Sequence, residues 1–241
     1  MWEAINSRLP RKGNMKITKR QKVNNALVDR NKLYTIEEAA ELAKKTANTK
    51  FNGSIEVHIR LGIDPKKTDQ AVRGSITLPN GTGKTKKVAA FVSEGKEAEA
   101  KQAGAAIVGG EQLVKQIRET GVTDFEIAVA EPAMMKNLAT IAKILGQRGL
   151  MPNPKTGTVT DNIAGIIKEI SAGKVDYKND NTSNIHQIVG KANFETSKLV
   201  ENVKAFIEAV SASKPQTVKK QFIASISMNA TMGPGIKVKL N

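Results

Sequence analysis

Cysteine is missing from all 241 residues, which excludes disulfides, thiolate metal sites and a cysteine nucleophile together. Aromatic side chains are scarce and scattered, six Phe, two Tyr and one Trp, so a stacking platform for single-stranded bases is not expected. Histidine occurs twice, as His58 and His186 on separate segments, which predicts no metal centre. No apolar run reaches the roughly eighteen residues that a membrane-spanning helix needs. The first segment carries Arg8, Arg11 and Lys12 beside Glu3 and has no apolar core, so no secretory signal is expected there. Met15 offers a second plausible start.

Positive charge is what the chain has in excess. The net charge is +15, and it is unevenly placed. Residues 1–81 and 174–241 hold 26 Lys and Arg against 13 Asp and Glu, while residues 82–173 hold 12 against 10. The ends thus carry +13 and the middle +2. A polyanion would be steered to a surface built from both ends. The plainer alternative is a basic face kept for solubility.

Hydrophobic periodicity divides the chain in the same way. A polar, basic helix over Lys16 to Arg30, with Val23, Ala26 and Leu27 as a thin stripe, is expected to rest on something else. Thr35 and Glu38 have capping-box spacing and open a second helix, with Ile36, Ala39, Ala40, Ala43 and Ala47 on its buried side. From Ser54 to Leu61 the period becomes two. Ile55, Val57, Ile59 and Leu61 point one way, and Ser54, Glu56, His58 and Arg60 the other. Val72, Gly74, Ile76 and Leu78 repeat the pattern, which predicts two strands of one sheet. Between 82 and 173 the rhythm is βαβαβα with short loops, starting from the continuous apolar run Val88–Val92, as in a small parallel sheet covered by helices. Further strands are expected at 175–178, 186–192, 222–228 and 236–240, with a long helix carrying Leu199, Val203, Phe206, Ile207 and Val210 between them.

The simplest assembly is discontinuous. Residues 1–81 and 174–241 form one α+β domain, and residues 82–173 form an inserted α/β domain. Two chain crossings, near Gly81/Gly83 and Gly173, would make a double hinge.

Chemistry is hard to find. Gly81-Thr82-Gly83-Lys84-Thr85 suggests a phosphate loop, but Leu78 stands where the first glycine should be, and a strand-like run follows the lysine. Gly104, Gly109 and Gly110 do not make a dinucleotide fingerprint. A turn explains both. No nucleophile, acid pair or cofactor motif stands out, so an enzyme is not expected. The polar face Ser54, Glu56, His58 and Arg60 fits structured RNA, read through shape, phosphates and 2′-hydroxyls, or else is an ordinary solvated face. Thr231-Met232-Gly233-Pro234-Gly235 is either a hairpin turn or a recognition loop; a turn explains the glycines and the proline but not the methionine.

These segments together resemble the large-subunit ribosomal protein L-one family in its bacterial and organellar form. The matching stretches are Tyr34–Ala39, Lys50-Phe51, Val57–Pro65, Asp69–Gly74, Leu78–Lys84, Gly149–Val159 and Thr231–Gly233. Gly149-Leu150-Met151-Pro152-Asn153-Pro154-Lys155-Thr156-Gly157-Thr158-Val159 and the final Thr-Met-Gly are the specific ones. The resemblance implies a Rossmann-like inserted domain and a discontinuous domain that alone binds ribosomal RNA at a mobile stalk beside the tRNA exit site. It also implies help in releasing deacylated tRNA and repression of the protein's own messenger RNA. The protein would be monomeric when free, without cofactor or membrane contact, and placed on a ribosome in the cytoplasm or an organelle. RNA contacts would fall on Lys50, Phe51, Ser54, Glu56, His58, Arg60, Ser225, Thr231, Met232 and Gly233. Glu56 would accept from a 2′-hydroxyl or base amino group rather than meet a phosphate. Phe51 has two readings, a plug under the first strand or a wedge facing RNA.

Overall fold

The computed structural model describes residues 17–93, 95–218 and 221–239. Arg8, Arg11, Lys12 and the alternative start Met15 lie outside them, as does Leu240 of the last expected strand. In chain order the elements begin with α1 (Lys19–Leu27), α2 (Ile36–Thr46), β1 (Ser54–Leu61) and β2 (Arg73–Thr77). There follow β3 (Val88–Phe91), α3 (Glu97–Gln102), β4 (Ile107–Gly109), α4 (Glu111–Thr120) and β5 (Ile127–Ala130). The rest are α5 (Met135–Leu138), α6 (Ala142–Gln147), α7 (Ile163–Ser171), β6 (Lys174–Lys178), β7 (Asn184–Lys191), α8 (Thr196–Ala212), β8 (Ile223–Ala230) and β9 (Ile236–Val238). Several sheets and helices thus make a mixed α/β fold.

Strand β1 sits inside a four-stranded antiparallel sheet of order β7-β1-β8-β9. The alternation read from the sequence sorts its side chains: Ile55, Val57, Ile59 and Leu61 are at most 3% exposed. They face α2 and α8 in a core that also takes Leu199, Val203, Phe206, Val210, Ile226 and Met228. Each such side chain, fully buried, contributes about 1.5–3 kcal/mol. Thr35 and Glu38 close the expected capping box at α2, and Thr18 and Gln21 close another at α1.

Strand β2 departs from expectation. It is not a strand of the β1 sheet but pairs antiparallel with β6 in a two-stranded sheet of its own. Both edges of β1 are taken by β7 and β8, so no backbone donors or acceptors remain for a third partner. Alternation gave the faces of β2 but could not give its neighbour.

The three-stranded sheet is parallel, of order β4-β3-β5. Its strands are covered on both sides. Ala89, Phe91, Ala128 and Ala130 enter a cluster with Val114, Ile117, Leu138, Ile141 and Leu145. Val88, Ala90 and Val129 enter another with Ala100, Ile163, Ile167 and Ile170. The single helix expected over 133–145 is instead two α-helical pieces, α5 and α6, joined and preceded by 3-10 turns.

Gly81 and Gly173 meet where the chain passes twice. Their φ angles are +61° and +108°, and a Cβ on Gly173 would stand 2.4 Å from the Gly81 Cα. No other residue fits such an approach. Asn202, fully buried, holds the crossing. Its Oδ1 accepts from the Asn80 N–H at 3.0 Å, and its Nδ2 donates to the carbonyls of Gly81 (2.9 Å) and Val189 (2.7 Å). The residues after Lys84 lead into β3, not a helix, so the Gly-Thr-Gly-Lys segment is a turn and lacks the helix N-terminus a phosphate loop requires.

Candidate nucleic-acid interface

Register across the antiparallel sheet determines which side chains share its uncovered face. His58 stands opposite His186 of β7 and Ser227 of β8. Arg60 stands opposite Asn184 and Ser225, and Glu56 opposite Asn229. On the far side of β8, Ser227 faces Lys237. The face is therefore a polar plate three to four strands wide, with Arg60, Ser225 and Lys237 exposed and Glu56 and His58 half-buried.

The two histidines, 128 residues apart in sequence, touch: their Nδ1 atoms lie 2.6 Å apart. His58 Nε2 is 2.6 Å from Asn229 Oδ1, an acceptor, so the ring donates there. Asp180 approaches His186 Nε2 at 3.5 Å. The Thr182 hydroxyl and then the Asn184 backbone N–H hold the Asp180 carboxyl below the usual carboxylate range. Glu56 lies 4.0 Å from His58 Nε2. Among the described residues no group of three or more His, Cys, Asp or Glu could hold a metal ion.

Ser54 shares the polar parity of β1, yet it is only 8% exposed. Its hydroxyl accepts from Lys191 Nζ at 3.0 Å. Its backbone is clasped by Thr231, whose Oγ1 accepts from Ser54 N–H at 3.0 Å and donates to Ser54 O at 3.1 Å. Ser54 is thus covered rather than displayed, and Thr231 spends both roles of its hydroxyl inside the protein. This clasp aims the 231–235 loop.

At the tip of that loop stands Met232, 65% exposed and at φ +61°. A left-handed conformation is uncommon outside glycine and costs on the order of 1 kcal/mol. Gly233 behind it sits tightly, since a Cβ there would come 3.1 Å from the Ala230 carbonyl, which would have to give by a few tenths of an ångström. Phe51 is 56% exposed, which excludes the plug reading. Lys50 beside it is exposed. The Thr49 hydroxyl donates to the Phe51 carbonyl at 2.7 Å and fixes this corner. Two large apolar groups and several cations therefore border a plate of hydroxyls, amides and imidazoles. Such a surface can meet phosphates, 2′-hydroxyls and sugar faces at once.

Residues 43–234 match the model of the Ribosomal protein L1p/L10e family. The chain belongs to that family. It is a family of ribosomal proteins and not of enzymes. Among similar members is the large ribosomal subunit protein uL1 of Mycoplasma capricolum, 51% identical over 224 residues, 93% of this chain and 99% of that protein. Those of Mesoplasma florum and Fervidobacterium nodosum are 48% and 49% identical over 226 residues each, 94% of this chain and 99% and 96% of theirs.

Of the residues expected to touch RNA, the fold brings Glu56, His58, Arg60 and Ser225 onto one plate. Lys50, Phe51, Thr231, Met232 and Gly233 stand together at its end, beside the covered Ser54. Sequence reasoning passed over Asn184, His186, Ser227, Asn229 and Lys237, which complete the plate. A signal was present, because Asn184/His186 and Ser225/Ser227/Asn229 repeat with period two.

Proposed function

We propose that this protein is a constituent of the large ribosomal subunit, in the cytoplasm, and binds structured ribosomal RNA through the open face of the antiparallel sheet and the Phe51 and Met232 corner. The observation that carries this reading is Met232, a large apolar side chain held exposed in an unfavourable backbone conformation by the Thr231 clasp. A partner surface gives that arrangement a use; a plain turn does not. The names and high identity of the relatives support the ribosomal setting.

Within this reading, residues 1–81 and 174–241 form the RNA-binding domain, and 82–173 a Rossmann-like insert. Supporting the division, one buried cluster draws on residues 28–78 and 175–238 and the other two on residues 88–170. Gly81 and Gly173 are the double hinge. The protein is a monomer when free, needs no cofactor, assists release of deacylated tRNA from the exit site, and represses its own messenger RNA with the same surface.

Co-sedimentation with large subunits, and titration of a ribosomal RNA fragment at several salt concentrations, test the reading. Affinity should fall steeply with salt, and Lys50→Ala should lower the log–log slope by roughly one unit or less. Affinity that ignores salt, or absence from subunits, would overturn it.

A further inference from the structure

Helix α1 is turned inside out. It buries a polar residue, Asn24 at 2% exposure, and leaves Val23 and Leu27 57% and 46% exposed. The anchor is explicit. Asn24 Nδ2 donates to the Thr46 carbonyl at 3.2 Å, and Asn48 Nδ2 donates to Asn24 Oδ1 at 2.9 Å. Val23 and Leu27 lie one turn apart with Ala26 beside them, so they form a continuous apolar stripe that the other described residues leave largely uncovered. A helix of nine residues is marginal in water without a packed face. This one leaves its apolar side exposed and sets Asn24 inward instead.

The stripe is flanked by one sign of charge. Lys19, Lys22, Arg30 and Lys32 are exposed. Asp29, the one carboxylate among residues 17–32, accepts from the Asn31 backbone N–H at 2.9 Å. Position completes the case. Thr46 and Asn48, which hold Asn24, lead directly through Thr49 to Phe51. Thr46 Oγ1 also lies 3.4 Å from where a Cβ on Gly233 would stand. The helix is therefore moored within one loop of Phe51 and Met232.

We propose that α1 is a further wall of the RNA-binding surface, with Val23 and Leu27 packing on the sugar face of the structured RNA that the sheet binds and Lys19 and Lys22 on adjacent phosphates. The inference rests on the ribosomal RNA reading above. A basic amphipathic helix also suits an anionic membrane. Continuity with Phe51 and Met232 favours RNA, and two large apolar side chains are little to bury in a bilayer.

The test uses the full chain and a ribosomal RNA fragment, with Lys19→Ala/Lys22→Ala and Val23→Ser/Leu27→Ser as double variants. Each pair is expected to weaken binding roughly tenfold. The lysine pair should lower the salt slope by about two units or less, and the apolar pair should leave it unchanged. Melting temperatures should stay put because all four positions are exposed. Amide hydrogens of 19–27 should gain protection when RNA is added. If Met232→Ala weakens binding while both α1 pairs bind normally, this inference falls and the sheet interface stands. If Met232→Ala is also neutral, the interface reading falls with it. Binding to phosphatidylglycerol vesicles that the α1 pairs abolish, with RNA affinity unchanged, assigns α1 to a membrane and overturns the proposal.

Discussion

The antiparallel and parallel sheets of this molecule solve the problem of burial in opposite ways. The strands around β3 are covered on both faces, and their side chains alternate between two apolar clusters. The sheet around β1 is covered on one face by α2 and α8 and leaves the other to hydroxyls, amides, imidazoles and Arg60. A sheet sealed on both sides has nothing to offer a polyanion except its rim. A sheet open on one side presents a rigid plate whose side chains are spaced by the strands themselves. The difference is the reason the proposed recognition falls to the ends of the chain, with the middle carried along.

The broadest way to break that comparison is to separate the two regions. Residues 1–81 joined by a short linker to 174–241 are expected to fold and keep most of the RNA affinity, and residues 82–173 alone to keep almost none. Titration of both pieces with the same RNA fragment checks this. Equal loss from both would show that recognition is shared.

A sharper probe lies at Met232, where stability and binding should move in opposite directions. Met232→Gly relieves a left-handed backbone and should leave the protein as stable or more so, by up to about 1 kcal/mol. The same change removes an apolar contact and should weaken RNA binding by about 1–2 kcal/mol. A thermal melt beside an RNA titration measures both. A loss in stability, or an unchanged affinity, would place Met232 in the fold instead of the interface.

Thr231 should behave differently from its neighbour, because its hydroxyl is already engaged by Ser54 on both sides. Thr231→Ala should cost stability by about 1–2 kcal/mol through the lost pair and should weaken binding only by releasing the loop. Thr231→Ser should restore both. A stable Thr231→Ala variant with lost affinity would mean that the hydroxyl reaches RNA directly.

These contrasts also mark what the sequence can and cannot convey. The faces of β1 were legible because period two sorts Ile55, Val57, Ile59 and Leu61 from Glu56, His58 and Arg60 without reference to any partner. The exposed Met232 was legible because the flanking glycines and proline account for a turn and not for a thioether. Pairing was not legible. Alternation is the same whichever strand lies alongside, so it puts β2 in one sheet with β1, whereas β2 pairs with β6 in a sheet of its own. For the same reason His186, Ser227 and Asn229 were passed over, since only the register reveals that they sit beside His58 and Glu56. Ser54 had the right parity but lies under Lys191 and Thr231, and long-range cover of that kind leaves no local trace. Helix α1 was read as resting on something else, and its single buried contact, Asn24, is polar, so no apolar pattern could have announced it.

The smallest expected effect confines itself to the sealed sheet. Glu131 follows β5 and is 8% exposed. It accepts from Lys96 Nζ at 2.8 Å, from the Ser93 hydroxyl at 2.5 Å and from the Ser93 backbone N–H at 3.1 Å. The Lys96 bond, followed by the two from Ser93, lowers its pKa from 4.5 to about 2. A carboxylate depressed in this way stabilises the folded state above its unfolded value, and the contribution is lost as pH falls from about 4.5 through about 2. Glu131→Gln keeps one acceptor for Ser93 but loses the ion pair, so the variant should melt lower near neutral pH and flatten the acid limb of the melting curve. Asp180, also depressed but located beside the open sheet, supplies the contrast: Asp180→Asn should flatten a further part of that limb and alter the surroundings of His186. RNA affinity near neutral pH should be unchanged in Glu131→Gln. A drop there, with the sheet face untouched, would show that the sealed region feeds into recognition and that the two sheets do not work apart.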